Sequence, residues 1–241
     1  MLSLLSFDLT LPDPNSNLAL DEALLLAAEA GDIGEVLRFW EFPEYAVMLG
    51  AGGSIAIDVN QEACKEEGIT LHRRSSGGGT VLLGPGCLLF SLILSYERAE
   101  ELRQVNSSYR WILERIAQAL SPILTIDRAG ISDLSHLGKK FSGNAQQRKA
   151  RHVLHHGTLL YNFDLPRLAR LLNPPERSPE YRAGRSHLDF VMNLPATADL
   201  LKDSLRGAFD GVAGPPPLAA MDQVSDLVRE KYSSMDWIWK R

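Results

Sequence analysis

Apolar residues recur along this chain at two spacings, and these spacings predict an alternation of strands and helices. Leucine and alanine fill the segment between the capping residues Asn15 to Asn17 and the stop at Gly31, which predicts a helix. Apolar positions three and four residues apart predict a second long helix over residues 104–120. Short apolar runs bounded by turn residues predict strands in LSLLSFDL, EVLRFWEF, YAVMLG, ITLHRR, TVLL, CLLFSLILSY, PILTID, KKFSG and HVLHHGTLLYNFDL.

Shorter helices are predicted between and after these strands. Asp58 is expected to cap a helix that Gly68 ends, and Asp164 to cap the helix PRLARLLN, which Pro174 and Pro175 terminate. The polar stretch 176–194 is expected to be a loop over a site. Two helices, at 196–209 and 221–233, are expected to close the chain, joined through Pro215 to Pro217. Without an internal repeat or a break in composition, the pattern predicts one α/β (α+β) domain over residues 1–241, with helices packed on a mixed sheet.

Composition and charge narrow the range of partners. The 241 residues are 45% hydrophobic and 23% charged, as in an ordinary globular protein, and the net charge of −5 argues against non-specific binding of nucleic acid. The first residues form neither a signal nor a transit peptide, and no apolar run is long enough to span a membrane. Two cysteines are too few for a disulfide framework. We therefore expect a cytoplasmic protein.

Three familiar motifs are weak or missing. VMLGAGGSIAI resembles part of a dinucleotide fingerprint, but Ile55 stands at the third glycine position and no helix follows directly, so a glycine turn between strands is the preferred interpretation. The phosphate-binding pattern GxxxxGK[ST] does not occur. His152, His155 and His156 cluster, but His155 should point away from the other two in a strand, so we expect no protein-only metal site.

Two segments combine positive charge with glycine in an otherwise acidic chain. RRSSGGGTV places arginines beside bare backbone, and LGKKFSGNAQQRKAR places lysines beside a Ser-Gly-Asn turn. Arg148 to Arg151 are interpreted as a solvated face, whereas Lys140 is expected at a strand end beside the tight turn. Together the two segments predict a site for an anionic reactant.

These two segments, with four others, resemble the lipoate–protein ligase family within the biotin/lipoate ligase superfamily. The matching segments are NLALDEALL, RFWEFPEYAVMLG, RRSSGGGTV, KKFSGNAQ, HHGTLLYNFDL and DWIWKR, so the likeness covers most of the chain. It implies a single catalytic domain with a mostly antiparallel mixed sheet and no C-terminal accessory domain. It also implies that ATP with magnesium activates lipoate or octanoate as an acyl-adenylate. The acceptor would be a lysine of a lipoyl domain, in a 2-oxoacid dehydrogenase or the glycine cleavage H protein.

The same resemblance assigns roles to individual residues. Lys140 matches the catalytic lysine of the family, which holds the carboxylate and phosphate oxygens together. The acyl or acyl-adenylate contacts fall on Arg74, Ser76, Gly77, Gly78, Gly79, Thr80 and His156. The nucleotide and magnesium side falls on Asp133, Ser142 and Asn144. Leu18, Val81 and Leu83 are expected to form walls for the apolar tail.

Two other functions remain open at this point. Related acyltransferases use this scaffold without ATP and pass the acyl group through a cysteine; residues 126–131 contain no thiol, which favours a ligase, but Cys87 leaves a thioester route open. A non-catalytic module that binds lipoate or a lipoyl domain is the second alternative. The sequence also departs from the family at Leu83-Gly84, where a histidine and an acidic residue are usual. The resemblance further implies a possible accessory subunit.

Overall fold

The computed structural model describes residues 4–174 and 179–240, whose strands form one large and one small sheet. The large sheet has the order β11-β1-β2-β6-β10-β9-β8-β7, and the small sheet has the order β4-β3-β5. The strands are β1 (Leu4–Asp8), β2 (Val36–Trp40), β3 (Ala46–Leu49), β4 (Thr70–Arg73), β5 (Val81–Leu83), β6 (Cys87–Ser95), β7 (Asp127–Ala129), β8 (Asp133–His136), β9 (Lys139–Arg148), β10 (His152–Leu160) and β11 (Gly211–Ala213).

Helices cover the large sheet and complete the chain. They are α1 (Pro14–Ala30), α2 (Ile55–Asp58), α3 (Gln61–Glu66), α4 (Val105–Leu120), α5 (Leu165–Leu171), α6 (His187–Phe190), α7 (Ala198–Ala208), α8 (Leu218–Met221), α9 (Val224–Leu227) and α10 (Met235–Ile238). Short 3-10 turns lie at Glu100–Arg103 and Glu180–Arg182, and a π turn lies at Val228–Tyr232.

The pairing within the sheets confirms the predicted mixed, mostly antiparallel fold. Strand β1 runs parallel to β2 and β11, and β3 runs parallel to β4, whereas the other named pairs are antiparallel. The long central pair β6–β10 joins Cys87 to Leu160 at one end and Ser95 to His152 at the other. This pair is the frame on which the site is built.

The central strand β6 is buried because helices pack on both of its faces. Ile93 packs with α1 through Leu20 and Leu24, while Leu92 on the opposite face packs with Ile112 of α4. A strand covered on both sides reads as a continuous apolar run instead of an alternating one, as CLLFSLIL does. Among the described residues, no helix combines the length and the apolar character that crossing a membrane requires.

Several predicted boundaries are wrong at the level of single residues. Helix α1 is capped by Asp13 and not by Asn15 to Asn17, because the Asp13 side chain accepts from the Ser16 amide. Asp58 ends α2 instead of capping a helix; Asn60 caps α3. Residues 122–126 form no strand, so PILTID contributes only Asp127 to β7.

Two longer segments also differ from their predictions. KKFSG is the first half of a ten-residue strand, so the Ser-Gly-Asn sequence lies within β9 and not in a turn. The segment 221–233 holds the end of α8, the short helix α9 and a π turn instead of one helix. Strand β11 was not predicted; its three residues begin shortly after α7. The predicted loop 176–194 holds a 3-10 turn and α6 in its described part, while residues 175–178 lie outside the described residues. The caps at Gly31 and Asp164 are confirmed.

Candidate active site

The loop between β4 and β5, residues 74–80, which we call the glycine loop, is held together by a buried guanidinium. Arg74 donates through Nε to Ser76 Oγ at 3.0 Å and through Nη2 to the carbonyl oxygens of Gly77 and Gly79 at 2.6 and 2.8 Å. Burial lowers the pKa of Arg74 to about 10, so the group remains a cation at neutral pH. In the described part of the chain, no carboxylate forms an ion pair with Arg74. The Arg74 side chain also lines a cavity. A buried positive charge without a counter-ion favours binding of an anion.

Two glycines, one inside the loop and one outside it, are required by the backbone. Gly78 adopts φ +90°, in the left-handed region that favours glycine. A Cβ on Gly50 would lie 2.1 Å from the carbonyl oxygen of Gly78, far inside van der Waals contact. Gly77 and Gly79 have open space where a Cβ would stand. The close approach of Gly50 therefore sets where the loop lies.

The loop is also tied to the large sheet through a histidine. Ser76 Oγ lies 2.5 Å from Nε2 of His156 on β10, and His156 Nδ1 lies 3.8 Å from Oδ2 of Asp21 on α1. Asp21 forms a buried ion pair with Arg38 at 2.6 Å. Burial alone would raise the pKa of Asp21, but Arg38 and His156 hold it below its ordinary value. The carboxylate therefore stays charged beside the His156 ring.

Lys140 approaches the same region from the start of β9. Its Nζ lies 2.8 Å from Oδ1 of Asp133 on β8, and the hydroxyl of Tyr181 donates to Oδ2 of Asp133 at 2.7 Å. Burial and the Asp133 carboxylate raise the pKa of Tyr181, so it remains a donor. A register shift between β8 and β9 places Phe141 as an extra residue, and such bulges redirect side chains. Phe141 is in the core, whereas Lys140 faces the cavities.

Two adjoining cavities meet at Lys140. The first has a volume of about 150 Å³, and its apolar walls are Leu18, Trp40, Met48, Val81, Leu83 and Leu89. The second has a volume of about 560 Å³, and its lining includes Asp58, Ser142, Arg182 and His187. The residues that line both are Gly79, Thr80, Val81, Ser132, Asp133, Lys140, Gly143 and Thr158. An apolar slot and a polar chamber thus share one wall that carries an ammonium group.

Most of the predicted site residues come together around these cavities. Arg74, Gly78, Gly79, Thr80, Asp133, Lys140, Asn144 and His156 line the first, as do the predicted wall residues Leu18, Val81 and Leu83. Ser142 lines the second. Ser76 and Gly77 line neither cavity; Ser76 is buried between Arg74 and His156. The described end of the 176–194 segment lines the second cavity through Pro179, Glu180 and Phe190, among others.

The structure gives little support to a cysteine thioester route or to a dinucleotide-binding motif. Cys87 is fully buried at the start of β6, and burial raises the pKa of its thiol, so the reactive thiolate is disfavoured. Cys64 is also buried, and neither cysteine lines the two cavities. The glycines of the partial dinucleotide motif lead into the four-residue α2, and Gly50 packs against the glycine loop.

The histidines do not form a metal site in the described part of the chain. Within residues 4–174 and 179–240, no three His, Cys, Asp or Glu side chains are placed to hold a metal ion. His155 is fully buried against Tyr109 and Phe90, whereas His152 contacts Glu29 and His156 contacts Ser76. The predicted opposite orientation of His155 is confirmed.

The C-terminal segment is fastened to the base of the glycine loop. The buried Arg73 donates to the carbonyl oxygens of Ile238 and Lys240 at 2.7 to 3.0 Å, and to the carbonyl oxygens of Gly50 and Gly53. Trp237 Nε1 donates back to the Arg73 carbonyl at 2.9 Å. These contacts were not predicted, because an arginine beside a glycine loop suggests a ligand contact and gives no sign of a remote backbone partner.

Comparisons with known proteins place this geometry in a family. Residues 13–205 match the family profile described as "Lipoyl protein ligase A/B catalytic domain". The probable lipoate-protein ligase A of Mycoplasma pneumoniae is 32% identical over 161 residues, which is 66% of this chain but 46% of that protein's length. The octanoyltransferase LipM of Moorella thermoacetica is 25% identical and the match covers 97% of both chains.

Solved structures agree with these sequence matches. A bi-partite lipoate protein ligase from Thermoplasma acidophilum, described with its E2 lipoyl domain, has 23% identity and a TM-score of 0.80, covering 98% of this chain and 95% of that one. A lipoate-protein ligase A bound with ATP has 23% identity and a TM-score of 0.79, covering 98% and 97%. The fold is therefore that of the lipoate ligases. With its profile match over most of the chain, this protein belongs to the lipoyl protein ligase A/B catalytic domain family.

Proposed function

We propose that this protein is an ATP-dependent ligase. It activates lipoate or octanoate as an acyl-adenylate with release of pyrophosphate, and it transfers the acyl group to a lysine of a lipoyl domain with release of AMP. The observation that carries this proposal is the shared wall of the two cavities, where Lys140 stands with the backbone of Gly79. A carboxylic acid and a nucleotide phosphate bound in the two cavities meet at that wall. Joining them requires a positive charge between two anions.

Lys140 supplies that charge. At about 4 Å and an effective dielectric constant near 20, one charge contact contributes roughly 4 kcal/mol before desolvation. Asp133 holds the Lys140 ammonium at 2.8 Å, so the group is oriented before an anion arrives. The buried cation Arg74 adds positive potential to the first cavity. Both charges stabilise the reacting carboxylate and the negative charge that develops as an amine attacks the adenylate.

The first cavity receives the acyl tail in this proposal. Its walls are mainly aliphatic and aromatic, and each buried methylene contributes about 0.8 kcal/mol. A medium-length chain is therefore favoured strongly over a short acid. His156 and Asp21 also line this cavity, and together they hold the Ser76 hydroxyl that fixes the loop.

The second, larger cavity receives the nucleotide. Ser142 and Arg182 offer hydroxyl and guanidinium donors of the kind that phosphates bind, whereas the Thr80 hydroxyl donates to Oδ2 of Asp58 at 2.7 Å. No group of carboxylates in the described residues is placed to hold a metal ion alone, so magnesium would enter with the phosphates, with Asp133 on that side. When bound, the ion would neutralise phosphate charge.

An ATP-independent octanoyltransferase is the second candidate, supported by a specific observation. The LipM relative matches along 97% of its length, whereas the ligase from Mycoplasma pneumoniae matches along 46%. A thioester route needs an accessible thiol, however, and both cysteines are buried away from the cavities. The position of the cysteines therefore supports the ligase over the transferase.

The deciding experiment weighs an acceptor protein. The purified chain is incubated with magnesium, lipoate or octanoate, and a lipoyl domain from a 2-oxoacid dehydrogenase or the glycine cleavage H protein, with and without ATP. A second series adds the accessory subunit that a bi-partite ligase would require. We expect an ATP-dependent gain of one acyl group on the acceptor. Lys140→Ala should abolish it, while Lys139→Ala, an exposed neighbour outside both cavities, should leave it intact.

The other outcomes assign the other functions. Acylation from an octanoylated carrier protein without ATP, lost in Cys87→Ala, would identify a transferase. Ligand binding without acylation in any series would identify a non-catalytic binding module. Full activity of Lys140→Ala would contradict the assigned chemistry even if ATP is consumed.

A further inference from the structure

A chain of polar side chains, one of them fully buried and three half-buried, lies on the α4 side of β9 and β10, away from the residues that hold the glycine loop. It consists of Arg148, Gln146, His155 and Asn144, and we call it the β9–β10 polar chain. His155 is fully buried, with Tyr109 of α4 packed edge-on against its ring at a centroid distance of 5.5 Å. Burial lowers the pKa of His155 to about 3, so the ring is neutral.

The charge at one end of this chain fixes the direction of its hydrogen bonds. Arg148 can only donate, and its Nη1 lies 3.0 Å from Oε1 of Gln146. The Gln146 amide nitrogen must therefore face His155, where it donates to Nδ1 at 3.1 Å. With Nδ1 accepting, the neutral ring carries its proton on Nε2 and donates to Oδ1 of Asn144 at 3.2 Å.

The far end of the chain is a clamp on a backbone carbonyl. Because Oδ1 of Asn144 accepts from His155, its Nδ2 is the donor, at 2.8 Å from the Ser132 carbonyl oxygen. The Asn144 backbone amide donates to the same oxygen at 3.0 Å. Ser132 immediately precedes Asp133, which pairs with Lys140. The clamp therefore holds the residue beside the acidic partner of the proposed catalytic lysine.

Gly157 on β10 leaves space for the side-chain amide of Asn144. A Cβ on Gly157 would lie 2.0 Å from Oδ1 of Asn144, so a side chain there would displace the amide. The glycine in HHGTLL is thus required by the polar chain.

We propose that the β9–β10 polar chain is a positioning device for Asp133 and Lys140. The Arg148 cation fixes which atom donates in each hydrogen bond from Gln146 through His155 to Asn144. The Asn144 side-chain amide therefore donates to the Ser132 carbonyl oxygen and holds it in place. Asn144 acts through the protein, since both of its side-chain donors are engaged by Ser132 and Ser142. The kinetic part of this inference rests on the proposed ligase function, whereas its structural part does not.

The decisive perturbation is Gln146→Glu, which keeps the shape of the side chain and removes its donor. A carboxylate at 146 can only accept, so a ring that stays neutral must carry its proton on Nδ1 and accept through Nε2. The Asn144 amide must then rotate, and its oxygen would face the Ser132 carbonyl. Gln118→Glu is the matched control, because it adds the same charge at an exposed position on α4.

Two measurements on the full chain test this inference without any reaction. Nitrogen NMR of the labelled histidines should show His155 with its proton on Nε2 in the wild type and on Nδ1 in Gln146→Glu. Hydrogen exchange in residues 131–134 should accelerate roughly tenfold in Gln146→Glu and remain unchanged in Gln118→Glu. A wild-type ring protonated on Nδ1, or unchanged exchange in a variant with a reversed ring, would overturn the proposal.

Kinetics then separate positioning from general damage. In Gln146→Glu we expect kcat for octanoyl-adenylate formation to fall about 100-fold, because a shift near 1 Å at the reacting groups has effects of that size. KM for octanoate should stay within about twofold, since the apolar side chains that wall the first cavity are unchanged. Equal losses in both constants would contradict a positioning role. If the wild type forms no adenylate, the ligase proposal fails, while NMR and exchange still decide the inference.

Discussion

The contact between Gly50 and the glycine loop makes a sharp prediction about a single methyl group. In Gly50→Ala the new Cβ would lie 2.1 Å from the Gly78 carbonyl oxygen, whereas ordinary contact begins at 3.4 Å. The loop must therefore retreat by more than about 1 Å, and such overpacking typically costs about 1–3 kcal/mol of folding free energy. Because Arg74 holds the same loop by its carbonyls, its guanidinium should move with it.

The assay for this variant compares it with Gly52→Ala. A Cβ on Gly52 meets nothing within 4 Å and its φ is not positive, so the control should change the free energy of unfolding by less than about 0.5 kcal/mol. Urea unfolding should separate the two variants, and calorimetry should show octanoate binding weakened only in Gly50→Ala. If Gly50→Ala keeps both its stability and its octanoate affinity, the contact with Gly78 does not position the loop.

Three further predictions concern the acyl slot, the buried thiol and the response to acid. Octanoate should bind about 100-fold more tightly than butanoate in calorimetry, because four additional methylenes at about 0.8 kcal/mol each contribute roughly 3 kcal/mol; equal affinities would mean that the first cavity does not hold the tail. Cys87→Ala should retain acyl transfer measured by acceptor mass, since the thiol lies outside both cavities; loss of transfer in a folded variant would restore the thioester route. Burial lowers the pKa of His72 from 6.5 to about 4, so the unfolded chain binds its proton first and stability should fall as pH drops from 6.5 to 4, by at most about 3 kcal/mol. His72→Gln should flatten that slope in urea titrations at several pH values, and an unchanged slope would contradict the assignment.

The sequence predicts the elements whose signal is local. The apolar run CLLFSLIL is confirmed as the buried strand β6, and the 3.6-residue spacing over 104–120 is confirmed as α4. Lys140 and Gly78 were predicted at one site because their motifs are specific, and both line the first cavity. Their chemical roles remain predictions that the acceptor assay tests.

The parts that could not be predicted depend on contacts between distant segments. Asp21 lies in an ordinary helical stretch, and nothing local shows that Arg38 and His156 will surround its carboxylate. Tyr181 lies in a polar stretch without a motif, yet its hydroxyl reaches Asp133. Arg148 was interpreted as part of a solvated face, but it is half-buried and its charge faces Gln146. A run of charged residues in the sequence does not show which side chains those residues will contact in the fold.

The grip of Arg73 on the carbonyls of Ile238 and Lys240 has a practical consequence for how the protein is handled. An affinity tag or fluorescent fusion attached after the last residue of this sequence would load the backbone that Arg73 fastens to the base of the glycine loop. Placing the tag at the amino terminus avoids this load. A comparison of both fusions would measure how strongly these C-terminal contacts fix the position of the glycine loop.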